Sequence, residues 1–382
     1  MTDTKPRSVP LGAVERELLR QLKELQGPDK RMVQMARMAN LVVYCASQER
    51  AARINAEIPE VVNVHPARVL LLVADAESPN TELETTVLVR PLRPPPLSPP
   101  KLGGDKGGGF GFSEQVTLTA GRGAEHHLPF AVRALLIGDL PTNLWWAAPV
   151  PPPFAGPVLY ELAEHAQQIV YDSMGWPDPA RGVAATAGWL EQVDRADGPG
   201  RWRVASDVNW RRLKYWRRML TQSLEGAEDR GLFESASEIR IEHGPHAVVQ
   251  AWMLMSWLSG QLGWKVKTGR VEPGLEMIWR FHGPTGEPLV RIHRAEEGPA
   301  EIRRLRIDCR IDNCDSALDL VVQDNQRLAM HVEGIEEAPR TMTVPPHSPA
   351  ELVGRQLSDR ERDPVFRTSM SVAQVMARSL LE

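Results

Sequence analysis

Cysteine, net charge and long apolar runs are all scarce in this chain. Only three cysteines, Cys45, Cys309 and Cys314, occur in 382 residues. Three cannot all pair, and a chain of this size needs no disulfide staples, so reduced and mostly buried thiols are expected. The C-x4-C spacing of Cys309 and Cys314 fits neither the usual zinc pairs nor the C-x-x-C redox motif. A formal net charge of −4 offers no electrostatic case for nucleic acid or an anionic membrane as partner. No stretch approaches about 18 consecutive apolar residues, so no membrane span is expected. The amino end, MTDTKPRSVPLGAVERELL, lacks the apolar centre of a secretory signal, and the chain reads as cytoplasmic.

Catalytic signatures are missing too. No G-x-S-x-G elbow, H-E-x-x-H helix or kinase set is present. The first βα turn, CASQER, carries no glycine fingerprint, so a dinucleotide site of Rossmann type is not supported. Lys106 lies among glycines, but Gly107 stands where a phosphate loop needs Ser or Thr, and no strand-to-helix context surrounds it. His126 and His127 are adjacent on a predicted helix and point about 100° apart, which suits no shared metal. Gly244-Pro245 breaks the geometry between His243 and His246. The reading is a non-enzyme with no metal and no cofactor.

What the chain does have is enough apolar material, 42%, for a soluble globular protein, and a length that favours two domains. The apolar spacing of residues 11–26 predicts a helix ended by Gly27-Pro28. Compact apolar runs at 41–45 and 68–74, with a charged helix between them, form a βαβ unit of a parallel sheet covered on both faces. Further strands are predicted at 85–91, 113–120, TNLWW (142–146) and, as the last, 168–173. Helices are predicted over 124–137, PVLYELAEHAQ and PARGVAATAGWLEQVDR. A Pro/Gly-rich insertion, 91–112, has no apolar period and reads as a surface loop.

ADGPG (196–200) is the candidate linker. It divides an α/β domain, 1–197, with a mostly parallel sheet and helices on both faces, from an α+β domain, 201–382, with an antiparallel sheet. The second part opens with a predicted helix, 206–224, capped by Ser206 or Asp207. Its stripe is Trp210, Leu213, Trp216, Leu220 and Leu224, with Arg211, Arg212, Lys214, Arg217 and Arg218 on other faces. An almost wholly apolar helix, 245–262, should be central to that core. Short alternating segments from 264 onward predict the sheet, and VFRTSMSVAQVMARSLL a closing helix.

Eleven tryptophans against seven Phe and four Tyr favour interfaces, although most buried Trp serve packing with a satisfied N–H. Trp145 and Trp146 adjoin a proline-rich loop, and alternation sends them to opposite faces of the sheet. One is then expected in the core and the other free as an anchor. Asp75, Asp139 and Asp172-Ser173 flank predicted strands, where α/β proteins build crevices, yet Asp also favours turns for local reasons. In the 206–224 helix, Trp and Arg could track phosphates, but the Trp share the Leu stripe, which points to packing.

These segments together resemble a known family. DLPTNLWW with its proline-rich loop, then VLYELAEHAQQIVYDS, then DVNWRRLKYWRRML are similar to the OpcA family of glucose-6-phosphate dehydrogenase assembly proteins. VHPARVLLLVAD and SEQVTL match further family segments, and the resemblance runs from about 40 to 310 in order. It implies a non-catalytic partner that binds glucose-6-phosphate dehydrogenase, promotes its active oligomer and raises flux into the oxidative pentose phosphate pathway. Partner- or ligand-binding candidates are Asp139, Trp145, Trp146, Asp172, Ser173, Trp210, Arg211, Trp216 and Arg217. Some relatives carry cysteines near the S-E-Q segment. Phe112 and Ser113 stand there in this chain, which puts thiol control at that position in doubt. The competing expectation is a regulator that binds a sugar phosphate or nucleotide at Asp139 and Asp172.

Overall fold

The computed structural model describes residues 5–26, 34–92, 111–195 and 203–382, apart from 226, 275, 298–299, 312–313, 325 and 334–338. The 196–200 linker and most of the 91–112 insertion lie outside the described residues.

Ala39–Cys45 and Ala67–Ala74 are buried along their whole length, as parallel strands covered on both faces must be. They belong to a run of six parallel strands in the order 111–120, 67–74, 39–45, 142–146, 168–171 and 204–207. The strand earliest in sequence among these lies in the middle. The sheet is therefore doubly wound, with its switch point between Ala39–Cys45 and Thr142–Trp146. Leu83–Pro91 adds an antiparallel strand beside Gly111–Ala120.

Two helices, Gln48–Val64 and Pro349–Ser358, cover one face of this sheet through Ile54, Ile58, Val61, Leu352, Val353 and Leu357. Val14–Gln26, Leu128–Leu135, Pro157–Ala163 and Pro179–Arg195 cover the other.

The second sheet has eight strands in the order 265–272, 276–282, 289–294, 238–243, 302–311, 314–323, 327–332 and 340–343. Neighbours are antiparallel except Glu238–His243 with Leu289–Arg294, which run parallel. Helix Val248–Gln261, buried from Val249 to Ser259, packs with Pro364–Leu381 on the inner face. There the rings of Trp252 and Trp279 meet at 5.0 Å. The α/β half followed by an α+β half is the arrangement read from the sequence.

Three details differ from that reading. Residues 204–207 form a sixth parallel strand, so Tyr171 ends the fifth strand and not the last. The predicted 206–224 helix starts at Val208, with Asp207 as its N-cap, and divides into Val208–Arg212 and Lys214–Glu225. Helix Pro349–Ser358 returns to cover the first sheet. Its signal was present in the S-x-x-E capping box at 348–351, where Ser348 Oγ accepts from Glu351 N at 3.0 Å. Cys45 and Cys309 are buried free thiols, with Cys45 pushed up to about 12 by burial, whereas Cys314 is exposed.

Candidate functional site

The tryptophan pair is core on both sides. Trp146 is 2% exposed, stacks on Tyr44 with centroids 4.2 Å apart, and donates its N–H to the Val150 carbonyl at 3.1 Å. Trp145, 4% exposed, packs on the opposite face with Ile58 and Val170. Alternation across the strand is as expected, but helices cover both faces, so neither ring is left free as an anchor. The proline-rich loop is also docked. A Cβ on Gly182 would come 3.1 Å from Pro151 and 2.8 Å from Trp176, so that helix position admits only glycine without a shift.

At the switch point, Arg50 Nε donates to the Ala147 carbonyl at 2.9 Å, laying a side chain across the crevice. With Cys45, Ala46 and Ser47 in place of a glycine turn, the residues present do not fit a dinucleotide pyrophosphate. Among the described residues no group of three His, Cys, Asp or Glu could hold a metal ion.

Asp139 is exposed in the turn at the amino end of Thr142–Trp146, whereas Asp172 follows the carboxyl end of Gln168–Tyr171. They lie at opposite ends of two adjacent parallel strands and cannot share one ligand. Asp172 instead takes a bidentate pair from Arg212 at 2.7 and 2.8 Å. Ser173 is buried; its N–H donates to Asp207 Oδ1 at 3.1 Å, and its Oγ accepts from Asn209 Nδ2 at 3.1 Å. Asp207 Oδ1 also accepts from Asn209 N at 2.8 Å. Burial first, then the charge on Asp172, pushes the Asp207 carboxyl up to about 7. The Asp-Ser and Asp-x-x-Trp segments therefore knot the fifth and sixth strands to the following helix.

Trp210 and Trp216 are buried at 7% and 5% exposure. Trp210 donates its indole N–H to Asp363 Oδ2 at 2.7 Å, and the Arg217 guanidinium lies 3.6 Å from its ring centroid. Arg211 binds Gln356 Oε1 and Asp359 Oδ2, both at 2.9 Å. These contacts wall a cleft of about 430 Å³ between the Trp210 helix and residues 356–366. Lys214, already marked as part of the helix's basic face, completes it with Gln356, Asp359 and Asp363, which sequence reasoning did not single out. Those three lie some 150 positions from Trp210 and become neighbours only through the fold, so no local pattern marked them. Burial lowers Arg217 to about 10. Of the candidates, the cleft brings together Trp210, Arg211 and Arg217; Trp145, Trp146, Asp139, Asp172, Ser173 and Trp216 lie outside it.

A doubly wound sheet followed by a helix-backed second sheet defines a two-part fold, α/β and then α+β. An oxidoreductase from Sinorhizobium meliloti shares that fold, with a TM-score of 0.50 and 11% identity over 91% of this chain and 97% of that one. The chain belongs to the OpcA family. Residues 59–187 match the glucose-6-phosphate dehydrogenase subunit N-terminal domain, and residues 203–370 match the corresponding C-terminal domain. Two similar proteins bear the name "Putative OxPP cycle protein OpcA". The one from Nostoc punctiforme is 28% identical over 169 residues, covering 44% of this chain and 34% of its own. The one from Synechococcus elongatus is 24% identical over 276 residues, covering 69% and 60%. The chain thus spans less than two thirds of the length of these relatives. No helix among the described residues is long and apolar enough to cross a membrane.

Proposed function

We propose that this chain is a non-catalytic, cytoplasmic assembly factor and allosteric activator that binds glucose-6-phosphate dehydrogenase and promotes its active oligomer in the oxidative pentose phosphate pathway. The observation that carries this reading is family membership across both halves, in a chain whose switch point is bridged by Arg50. An activator shifts its target only by binding the active form more tightly than the inactive one, and aromatic anchors commonly supply that energy.

With Trp145 and Trp146 buried, the anchors we assign are Phe130 and Tyr160. They are 70% and 47% exposed on the helices Leu128–Leu135 and Pro157–Ala163, which Arg133 and Glu164 bring together at 3.8 Å. Titrating the purified dehydrogenase with this chain tests the reading. The dehydrogenase rate should rise and saturate, and the chain alone should show no turnover. The Phe130→Ala, Tyr160→Ala double variant should lose the effect with its thermal midpoint unchanged. An unaltered dehydrogenase rate would refute the activator role; full activation by the double variant would refute these anchors.

A further inference from the structure

One face of helix Lys214–Glu225 carries more positive charge than its surroundings neutralise. Lys214, Arg217 and Arg218 stand at i, i+3 and i+4, one turn beyond Arg211. Like charges at that spacing repel across a helix turn. Arg211 is matched by Asp359. Among the described residues, no carboxylate pairs with Lys214, Arg217 or Arg218. Arg217 Nε is buried without a partner, and the guanidinium's remaining polar contact is to the Trp210 carbonyl at 3.4 Å. The nearby acid, Asp363, is committed to the Trp210 indole and to the N–H groups of Val365 and Phe366. A half-buried cation with an unpartnered Nε beside a hollow is suited to an anion from outside the chain.

The hollow has the size of a small-molecule site. Its volume is about 430 Å³, and a second hollow of about 340 Å³ shares Lys214 and Arg217 as its wall. The far wall offers Ser206, Asp359 and Glu361, groups that hydrogen-bond hydroxyls and repel a polyanionic strand. Trp210 offers no platform for a base, since Arg217 covers its ring and Phe366 packs 5.5 Å away.

We propose that this cleft binds a small phosphate monoester of a polyhydroxy compound, its dianion held by Lys214 and Arg217 and its hydroxyls turned toward Ser206, Asp359 and Glu361. The site belongs to this chain alone and does not require the dehydrogenase.

The test is calorimetric titration of the full chain, without any partner, using glucose 6-phosphate, inorganic phosphate and glucose as probes. Glucose 6-phosphate should bind saturably, inorganic phosphate more weakly and glucose not at all. Lys214→Gln and Arg217→Gln should each weaken glucose 6-phosphate binding by about tenfold or more, the scale of one charge-assisted hydrogen bond. Lys214 is exposed and makes no ion pair among the described residues, so its variant keeps the test valid if Arg217→Gln fails to fold. Failure of glucose 6-phosphate to saturate, or unchanged affinity in Lys214→Gln, would overturn the proposal. Equal affinity for inorganic phosphate would overturn the recognition of hydroxyls. Because the dehydrogenase is absent, none of these outcomes bears on the activator reading.

Discussion

Two clusters of arginine in this molecule differ in how their charge is answered. At the amino end of the first sheet, Arg68 and Glu114 stand in register on adjacent strands, almost wholly buried and hydrogen-bonded to each other. Glu15 closes on Arg68 at 2.6 Å, Arg37 closes on Glu114 at 2.8 Å, and the Leu135 carbonyl takes a further Arg68 bond. Every charge there has its opposite, and the cluster ties the first helix to the sheet. In the cleft, by contrast, Lys214 and Arg217 face open volume and form no salt bridge among the described residues. Matched buried charge holds a fold together, whereas unmatched charge beside a hollow is available to a ligand.

The largest effects are expected among the buried, matched groups. Trp146→Ala removes a ring packed on Tyr44 and should cost about 3–5 kcal/mol, read as a lower denaturant midpoint. A surface anchor would cost far less, so a small loss would contradict core placement. Arg68→Ala should cost about 3 kcal/mol by leaving Glu114 buried with only Arg37 beside it. Joint replacement, Arg68→Met with Glu114→Leu, should recover part of that loss.

The polar knot around Asp207, at the ends of the fifth and sixth strands, makes a pH-dependent prediction. Asp207 titrates at about 7 in the fold against an ordinary 3.8, so the folded state holds its proton where the unfolded chain has released it. That contribution is complete below about pH 4 and is lost as pH rises toward 7, at no more than about 1.4 kcal/mol per pH unit. Asp207→Asn keeps an oxygen for Ser173 N and Asn209 N and should flatten this part of the curve. An unchanged slope would assign it to other groups. The smallest effect is expected at Lys214. Lys214→Gln should change stability by less than about 0.5 kcal/mol, because it removes repulsion and no bond. A large loss would place an intramolecular partner where the cleft shows none.

Much of this architecture was legible because strands buried on two faces leave an unmistakable apolar run, as in 41–45 and 68–74. Val204–Asp207 was not, because a four-residue strand ending in Ser-Asp has no period to show. Glu238–His243 alternates clearly, yet its parallel pairing with Leu289–Arg294 is a matter of topology. At the site, sequence pattern placed Trp210, Arg211 and Arg217 on one helix, and two of the three do line the cleft with charged groups. The opposite wall, Gln356, Asp359 and Asp363, arrives from the far end of the chain. The tryptophan pair shows the converse. Alternation was right about direction, but only the helices packed on each side decide whether a direction leads to solvent.

Whether this chain assembles glucose-6-phosphate dehydrogenase, without chemistry of its own, can be read from sedimentation of the dehydrogenase with and without it. The proposed role requires a heavier species containing both proteins, with dehydrogenase activity concentrated in that fraction. Two separate boundaries, with activity confined to the unchanged dehydrogenase, would contradict it.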